Sequence, residues 1–361
     1  MTRRVLVARL DSVGDVLVSG PAVRAVAASG AEVVLLAGPQ GASAARLLPG
    51  VSEVLVWDCP WITAPARDTD QSVADDLLAL VRAADVDGAV ILTSFHQSPL
   101  PLALLLRLAG VERVSGASVD YAGSLLDVRL RPGEDFPEDQ PEPVRALRIA
   151  EAAGYSLPPD DDGRLRVRAD GAAPADVGEP GYVVVHPGAA VPARTWPAGH
   201  HAATVDLLTG RGVRVVVTGG PGERALTAAV AGSTGTDLGG RTDLDALAAV
   251  LRGAAAVVVG NTGAAHLAAA VGTPVVSLFS AVVPHERWSP FGVPTILLGD
   301  QTAACAGSRA RVCPVPGHPC LTSVSPEQVV DAVFALTGPI GGAPAFGSAA
   351  LAAPRRKEHS L

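Results

Sequence analysis

Lysine is nearly absent from this 361-residue chain: Lys357 is the only one, so almost every fixed positive charge is an arginine. Acidic residues outnumber Lys and Arg by 36 to 28 for a net charge of -8, which argues against a surface built for nucleic acid. Aromatic residues are scarce at 4%, and the core must be assembled from Val, Leu and Ala. No apolar run approaches membrane-spanning length without a charge, Gly or Pro interrupting it. The first such run, Val5 to Leu10, is too short for a secretory signal and leads straight into Asp11 and Asp15. A cytoplasmic protein is therefore expected. Its cysteines are four, Cys59, Cys305, Cys313 and Cys320, and in that compartment they are expected as thiols. The last three lack the paired C-x-x-C spacing of common zinc sites, so no metal is expected. Neither a Walker A sequence nor a G-x-G-x-x-G fingerprint occurs.

What the chain does have is alternation. Strand-like runs at Val5 to Leu10, Glu32 to Ala37, Glu53 to Trp57 and Ala89 to Leu92 are separated by helical patterns at Val16 to Ala28, Ser72 to Ala84 and Pro101 to Ala109. A segment at Val111 to Ser118 adds a further strand, Arg131 to Pro143 reads as a loop, and Val144 to Ala153 as a helix. After a turn-rich interval from Leu157 to Gly181, the alternation resumes with strands at Tyr182 to His186, Val213 to Thr218, Asp237 to Leu238, Val257 to Val259, Pro274 to Phe279 and Thr295 to Leu298. Helices are expected between them at His200 to Leu208, Glu223 to Ala231, Leu244 to Arg252 and from Gly263, with a last one at Pro326 to Leu336. Such alternation yields parallel sheets covered on both faces. The predicted organisation is two α/β domains, 1–165 and 180–337, with a Gly/Ala/Pro-rich tail over 338–361 expected to be disordered.

Four strand-to-helix connections carry polar or flexible residues where parallel sheets open their ligand crevices. In the first, Asp15 follows Gly14, and the helix dipole favours its ionised form, as a general base needs. A plain N-cap aspartate is the alternative reading, and Asp11 is a similar but less well placed carboxylate. The second, His186-Pro187-Gly188, runs on to Arg194-Thr195-Trp196-Pro197, where Arg194 offers a permanent charge for phosphate. In the third, Thr218-Gly219-Gly220-Pro221-Gly222-Glu223, Gly220 lets a ligand approach the backbone, and Glu223 is either a ribose acceptor or a helix cap. The fourth, Gly260-Asn261-Thr262-Gly263, opens a small-residue helix whose free amides suit an anion. His266, one turn further, faces that crevice or packs as an ordinary core histidine.

Taken in order, V-L-V-A-R-L-D-S-V-G-D-V, V-V-V-H-P-G-A, R-T-W-P, V-V-T-G-G-P-G-E, D-L-G-G-R-T-D-L and G-N-T-G-A-A-H-L-A-A-A-V-G-T-P-V-V-S-L-F resemble glycosyltransferase family 9, the lipopolysaccharide heptosyltransferases and their relatives. The resemblance spans Val5 to about Leu336. It implies a GT-B fold: two Rossmann-like, doubly wound parallel-sheet domains facing across a cleft, acceptor held mainly by the first, nucleotide-sugar donor by the second, with no required metal or other cofactor. It further implies Asp15 as the general base and Arg194 as the phosphate-contacting residue, where better-studied members have lysine. Thr262, Gly263 and His266 match the family pattern. Asn261 departs from it, standing where the family has an aspartate that contacts the donor sugar, and Ala264 replaces a common proline.

The reading that follows is an inverting glycosyltransferase, transferring heptose from ADP-heptose to a glycan, glycolipid or small-molecule acceptor in the cytoplasm, with peripheral association at the inner face of the plasma membrane compatible with it. Donor contacts are expected from His186, Gly188, Arg194, Gly220, Glu223, Asn261, Thr262, Gly263 and His266. Two alternatives stay open: another GT-B enzyme such as a nonhydrolysing sugar-nucleotide epimerase, and a non-catalytic sugar-nucleotide-binding protein. The acceptor loops, Phe95-His96-Gln97 and Tyr121 to Ser124, carry no recognisable signature.

Overall fold

The computed structural model describes residues 3–63, 66–94 and 96–340. Phe95 and residues 341–361 of the expected tail therefore lie outside the described residues. The first half contains β1 (Arg4–Arg9), α1 (Val13–Val18), α2 (Gly20–Ala28), β2 (Glu32–Ala37), α3 (Ala42–Leu47), β3 (Val51–Val56), α4 (Gln71–Ala84), β4 (Gly88–Ile91), α5 (Leu100–Ala109), β5 (Arg113–Ala117), β6 (Val128–Leu130) and α6 (Glu142–Ala152). The second contains β7 (Tyr182–His186), α7 (Ala198–Thr209), β8 (Val215–Val217), α8 (Arg224–Ala231), β9 (Thr236–Asp237), α9 (Leu244–Gly253), β10 (Ala254–Gly260), α10 (Gly263–Ala270), β11 (Val275–Leu278), α11 (His285–Trp288), β12 (Thr295–Leu298), α12 (Pro319–Thr322) and α13 (Pro326–Thr337).

Each half forms a six-stranded, wholly parallel sheet, ordered β3-β2-β1-β4-β5-β6 in the first and β12-β11-β10-β7-β8-β9 in the second. Counted from its own first strand, the second sheet repeats the winding of the first. Both faces of the central strands are buried, which is why β4, β7, β8 and β10 read as apolar runs rather than alternating ones, whereas the edge strands β3 and β6 carry polar residues. In β1, Val5 and Val7 join one core while Leu6 and Ala8 join another; Val257, Val259 and Ala256, Val258 divide β10 in the same way. One apolar cluster continues from β1 through Val16 and Leu17 to Ala264, Ala265 and Leu267 of α10, so the two halves share packing beneath the crevice.

Several expectations need correction. The single helix expected over Val16 to Ala28 is two, because Pro21 has no N–H to bond Leu17 and its ring displaces the preceding turn. Ser19 fills the break, its hydroxyl donating to the Asp15 carbonyl at 3.0 Å. α3 and β6, of six and three residues, are too short to show a period and were not expected. The interval from Leu157 to Gly181 holds one short 3-10 turn, Ala175–Val177, but it is no loose tether. Arg24 pairs with Asp161 at 2.6 Å, the Arg168 amide donates to the Leu47 carbonyl at 2.7 Å, and Leu165 is buried against Val18 and Ala269.

Candidate active site

In a doubly wound sheet, ligands collect where the strand order reverses, at the carboxyl ends of the strands. Here those points lie between β1 and β4 in the first half and between β7 and β10 in the second. Asp15, His186 and Asn261 stand just beyond β1, at the end of β7 and just beyond β10 respectively.

The polypeptide leaves β1 through its last residue, Arg9, whose side chain is only 1% exposed and follows the buried apolar run Val5 to Ala8. It organises three carboxylates: Nε lies 3.0 Å from Asp11, NH2 2.9 Å from Asp15 and NH1 3.7 Å from Glu142. NH2 also donates to Ser94 Oγ at 2.8 Å, tying β1 to the end of β4. Asp15 is consequently not a lone carboxylate at the Gly14 turn, and it is not the N-cap. Ser12 holds the N-cap position, and its amide and hydroxyl donate to Asp15 Oδ2 at 3.2 and 2.6 Å. Burial pushes the Asp15 carboxyl up, but the Arg9 charge and the hydrogen bonds from Ser12 and Arg9 outweigh it and hold the group below its ordinary value. Asp11 goes the other way: burial dominates over Arg9, and its carboxyl is raised despite a 2.5 Å bond from Gln97 Nε2. Glu142 is raised by burial as well.

The helix carrying Asp15 meets α10 end to end. A Cβ added to Gly14 would stand 3.0 Å from His266 Cδ2 and 3.3 Å from Gly263 Cα, and one added to Gly263 would stand 3.1 Å from Val13 Cγ1. A side chain at either position would have to push the facing helix start aside by a few tenths of an ångström, so glycine at both suits this close approach. Thr262 is the N-cap of α10 and Gly263 its first residue. Asn261 is 5% exposed and His266 3%, and Asn261 Nδ2, Thr262 Oγ1 and His266 Nδ1 are buried with no hydrogen-bond partner. Orphaned polar atoms of this kind cost about 1–3 kcal/mol each unless a ligand satisfies them. Burial drives the His266 imidazole down to about 4, with Asp15 pulling it up and Arg194 pushing it further down. It is neutral at neutral pH.

Arg194 closes a 3-10 turn, Pro192–Arg194, and its Nε is likewise buried without a partner. Burial lowers its pKa first, Asp15 opposes that shift and Arg311 adds to it. Trp196 acts as packing for the start of α7: its indole donates to the Val324 carbonyl at 3.2 Å and its ring meets His200 and His201 edge-on.

His186 and Thr218, at neighbouring strand ends, meet at 2.9 Å through Nδ1 and Oγ1. Glu223 fills the role of a cap, accepting from the Gly220 amide at 2.7 Å through Oε2. Its Oε1 lies over Gly188, where a Cβ would come within 1.8 Å, so Gly188 is dictated by that carboxylate. The structure therefore brings Asp15, Arg194 and His266 into mutual electrostatic range, while His186, Gly188, Gly220 and Glu223 form a second group along β7 and β8. Sequence reasoning missed Arg9, although an arginine closing a buried apolar run was a readable signal. It also missed Glu142, Ser94 and the bridge across the crevice from Arg287 to Glu138 at 2.8 Å and Asp139 at 3.1 Å. Among the described residues, no group of three or more His, Cys, Asp or Glu is placed to hold a metal ion, and the four cysteines are free thiols. No described helix is long and apolar enough to cross a membrane.

Two Rossmann-like halves of equal winding, facing across a crevice and each contributing its switch point, define the GT-B class of proteins. Solved structures agree. The ADP-heptose lipopolysaccharide heptosyltransferase II of Escherichia coli superposes with a TM-score of 0.70 at 20% identity, covering 92% of this chain and 98% of that one. A glycosyl transferase family 9 protein of Veillonella parvula DSM 2008 gives 0.73 at 16% identity, covering 93% and 97%. The family model for glycosyltransferase family 9 (heptosyltransferase) matches residues 103–317, and the chain belongs to that family. Among curated relatives, lipopolysaccharide heptosyltransferase 3 of E. coli is 34% identical over 155 residues, 41% of this chain; the match spans less than half of that relative's length, 44%.

Proposed function

We propose that the protein is an inverting glycosyltransferase that moves heptose from ADP-heptose to a hydroxyl of a glycan or glycolipid acceptor at the cytoplasmic face of the membrane. The observation that carries this reading is the glycine-to-glycine contact of α1 with α10, which sets a carboxylate from one half against unsatisfied donors from the other. Asp15 is the base. Its carboxyl is ionised at neutral pH, and because its affinity for a proton is low, transfer from the acceptor hydroxyl comes late, once bonding to the anomeric carbon has made that proton acidic. The hydroxyl oxygen forms the new glycosidic bond as the bond from the anomeric carbon to the diphosphate breaks on the opposite face. Arg194 and the first amides of α10 stabilise the charge that grows on the departing diphosphate. His266, neutral and buried, offers a hydrogen bond without competing for the proton.

Asp15→Ala should lower kcat by roughly 10²–10⁴-fold, the range for a lost general base, with ADP affinity nearly constant. Transfer is followed as ADP release with saturating acceptor, and a variant close to wild-type kcat refutes the assignment. Incubation with donor alone separates this reading from its alternative: recovery of an epimerised sugar nucleotide would establish epimerase chemistry instead.

A further inference from the structure

After β12 the chain does not go directly to α12; it runs as a loop through residues 300–317 against the segments that follow β11 and β7. Backbone bonds fasten it there. The Gly307 amide donates to the Ala281 carbonyl at 2.9 Å, the Arg309 amide to Val282 at 2.7 Å, and the Ala193 amide to the carbonyl of Arg311 at 3.0 Å. Buried Cys305 and half-buried Cys313 pack with Ala193, Phe279 and Val282 beneath it. The bond from Ala193 places Arg311 beside Arg194, its neighbour in sequence.

This proximity does not help the fold. Among the described residues the exposed Arg311 side chain makes no hydrogen bond or ion pair, the Arg194 side chain has none either, and Arg311 acts on the Arg194 guanidinium as a like charge. Asp15 is, among the described residues, the one anion acting on Arg194, and it is already committed to Arg9 and Ser12. Hydrogen bonds and apolar packing thus hold two cations together against their repulsion. The arrangement is stable in charge only with a ligand that brings at least two negative charges on neighbouring groups; a single carboxylate would leave one guanidinium unmatched.

We propose that Arg311 is a second phosphate-binding arginine, which grips the diphosphate of the nucleotide-sugar donor together with Arg194. The inference rests on the donor reading above and adds a residue to it. Loss of one charge-assisted contact predicts that Arg311→Ala weakens ADP binding by about 10- to 100-fold in calorimetry while adenosine binding stays within about twofold. Arg311→Lys, with charge but no fork, should fall between. Because the pair is repulsive without ligand, ligand-free Arg311→Ala should melt at the wild-type temperature or above it. Wild-type ADP affinity in Arg311→Ala overturns the proposal, and so does an equal loss of ADP and adenosine accompanied by a lower melting temperature, which marks a structural loop residue. Titration with inorganic pyrophosphate separates the proposal from the donor reading. If the wild type binds pyrophosphate but not ADP, and Arg311→Ala loses it, the arginine pair stands and the adenine nucleotide falls. If the wild type binds neither, both fall.

Discussion

Replacing Arg9 by methionine tests how the candidate base is held. The substitution keeps an unbranched side chain in a site that is 1% exposed and removes the one cation that, among the described residues, lies within 4 Å of Asp11, Asp15 and Glu142. Breaking a buried ion pair from one side costs about 3–5 kcal/mol, because the abandoned charge stays buried. At roughly 2–4 °C per kcal/mol for a domain of this size, the melting temperature near neutral pH should fall by about 6–20 °C. The pH dependence supplies the sign. In the wild type, Asp15 is held below its unfolded value, so its contribution is present above the unfolded carboxylate range and is lost as pH falls through the folded value. Asp11 and Glu142 are raised, so their contributions are present at low pH and are lost as pH rises through their folded values. Without Arg9, burial is left to act on Asp15, which then behaves like the other two. The variant's deficit should consequently be largest at a slightly alkaline pH and shrink markedly at an acidic one, where the raised carboxyls take up protons. Calorimetric melts at both values measure it, and the acid limb of kcat/KM should move to higher pH in parallel. An equal deficit at both pH values, or a wild-type melting temperature at the higher one, refutes the view that Arg9 holds Asp15 ionised.

Two further outcomes are expected at the donor side. Arg194→Ala should weaken ADP binding by about 1.5–3 kcal/mol and leave adenosine binding nearly untouched, as calorimetry with both ligands will show; equal losses would indicate a folding role. Asn261→Asp exchanges the orphaned Nδ2 for an acceptor. It should change relative kcat/KM among ADP-sugars by at most about 1–3 kcal/mol with ADP affinity constant, and an unchanged donor ranking with weakened ADP would make Asn261 part of the phosphate site instead.

The class of fold was legible because its signal is local. Buried parallel strands require runs such as Val257 to Val259, and the helices between them require turns rich in Gly and Asn. The break at Pro21 was also written in the sequence, since a proline there cannot bond the preceding turn. By contrast α3 and β6, with six and three residues, are too short to develop a period. Candidate residues at strand ends could be picked out for the same local reason, but their relations could not. Whether the Glu223 carboxylate would lie over Gly188 depended on how the loops after β7 and β8 met in space, and whether Asp15 stood alone depended on Glu142, far along the chain.

By itself the sequence determined two α/β halves with polar and glycine-rich connections at the carboxyl ends of their strands, because apolar periodicity and turn chemistry act over a few residues. Only the tertiary structure decided that Gly14 would abut Gly263, that one buried guanidinium would serve three carboxylates, that Arg287 would bridge to Glu138, and that Arg311 would come to rest beside Arg194. Those contacts join residues with no fixed spacing, and their energies come from burial and from the sharing of charge, which exist only once the two sheets have packed.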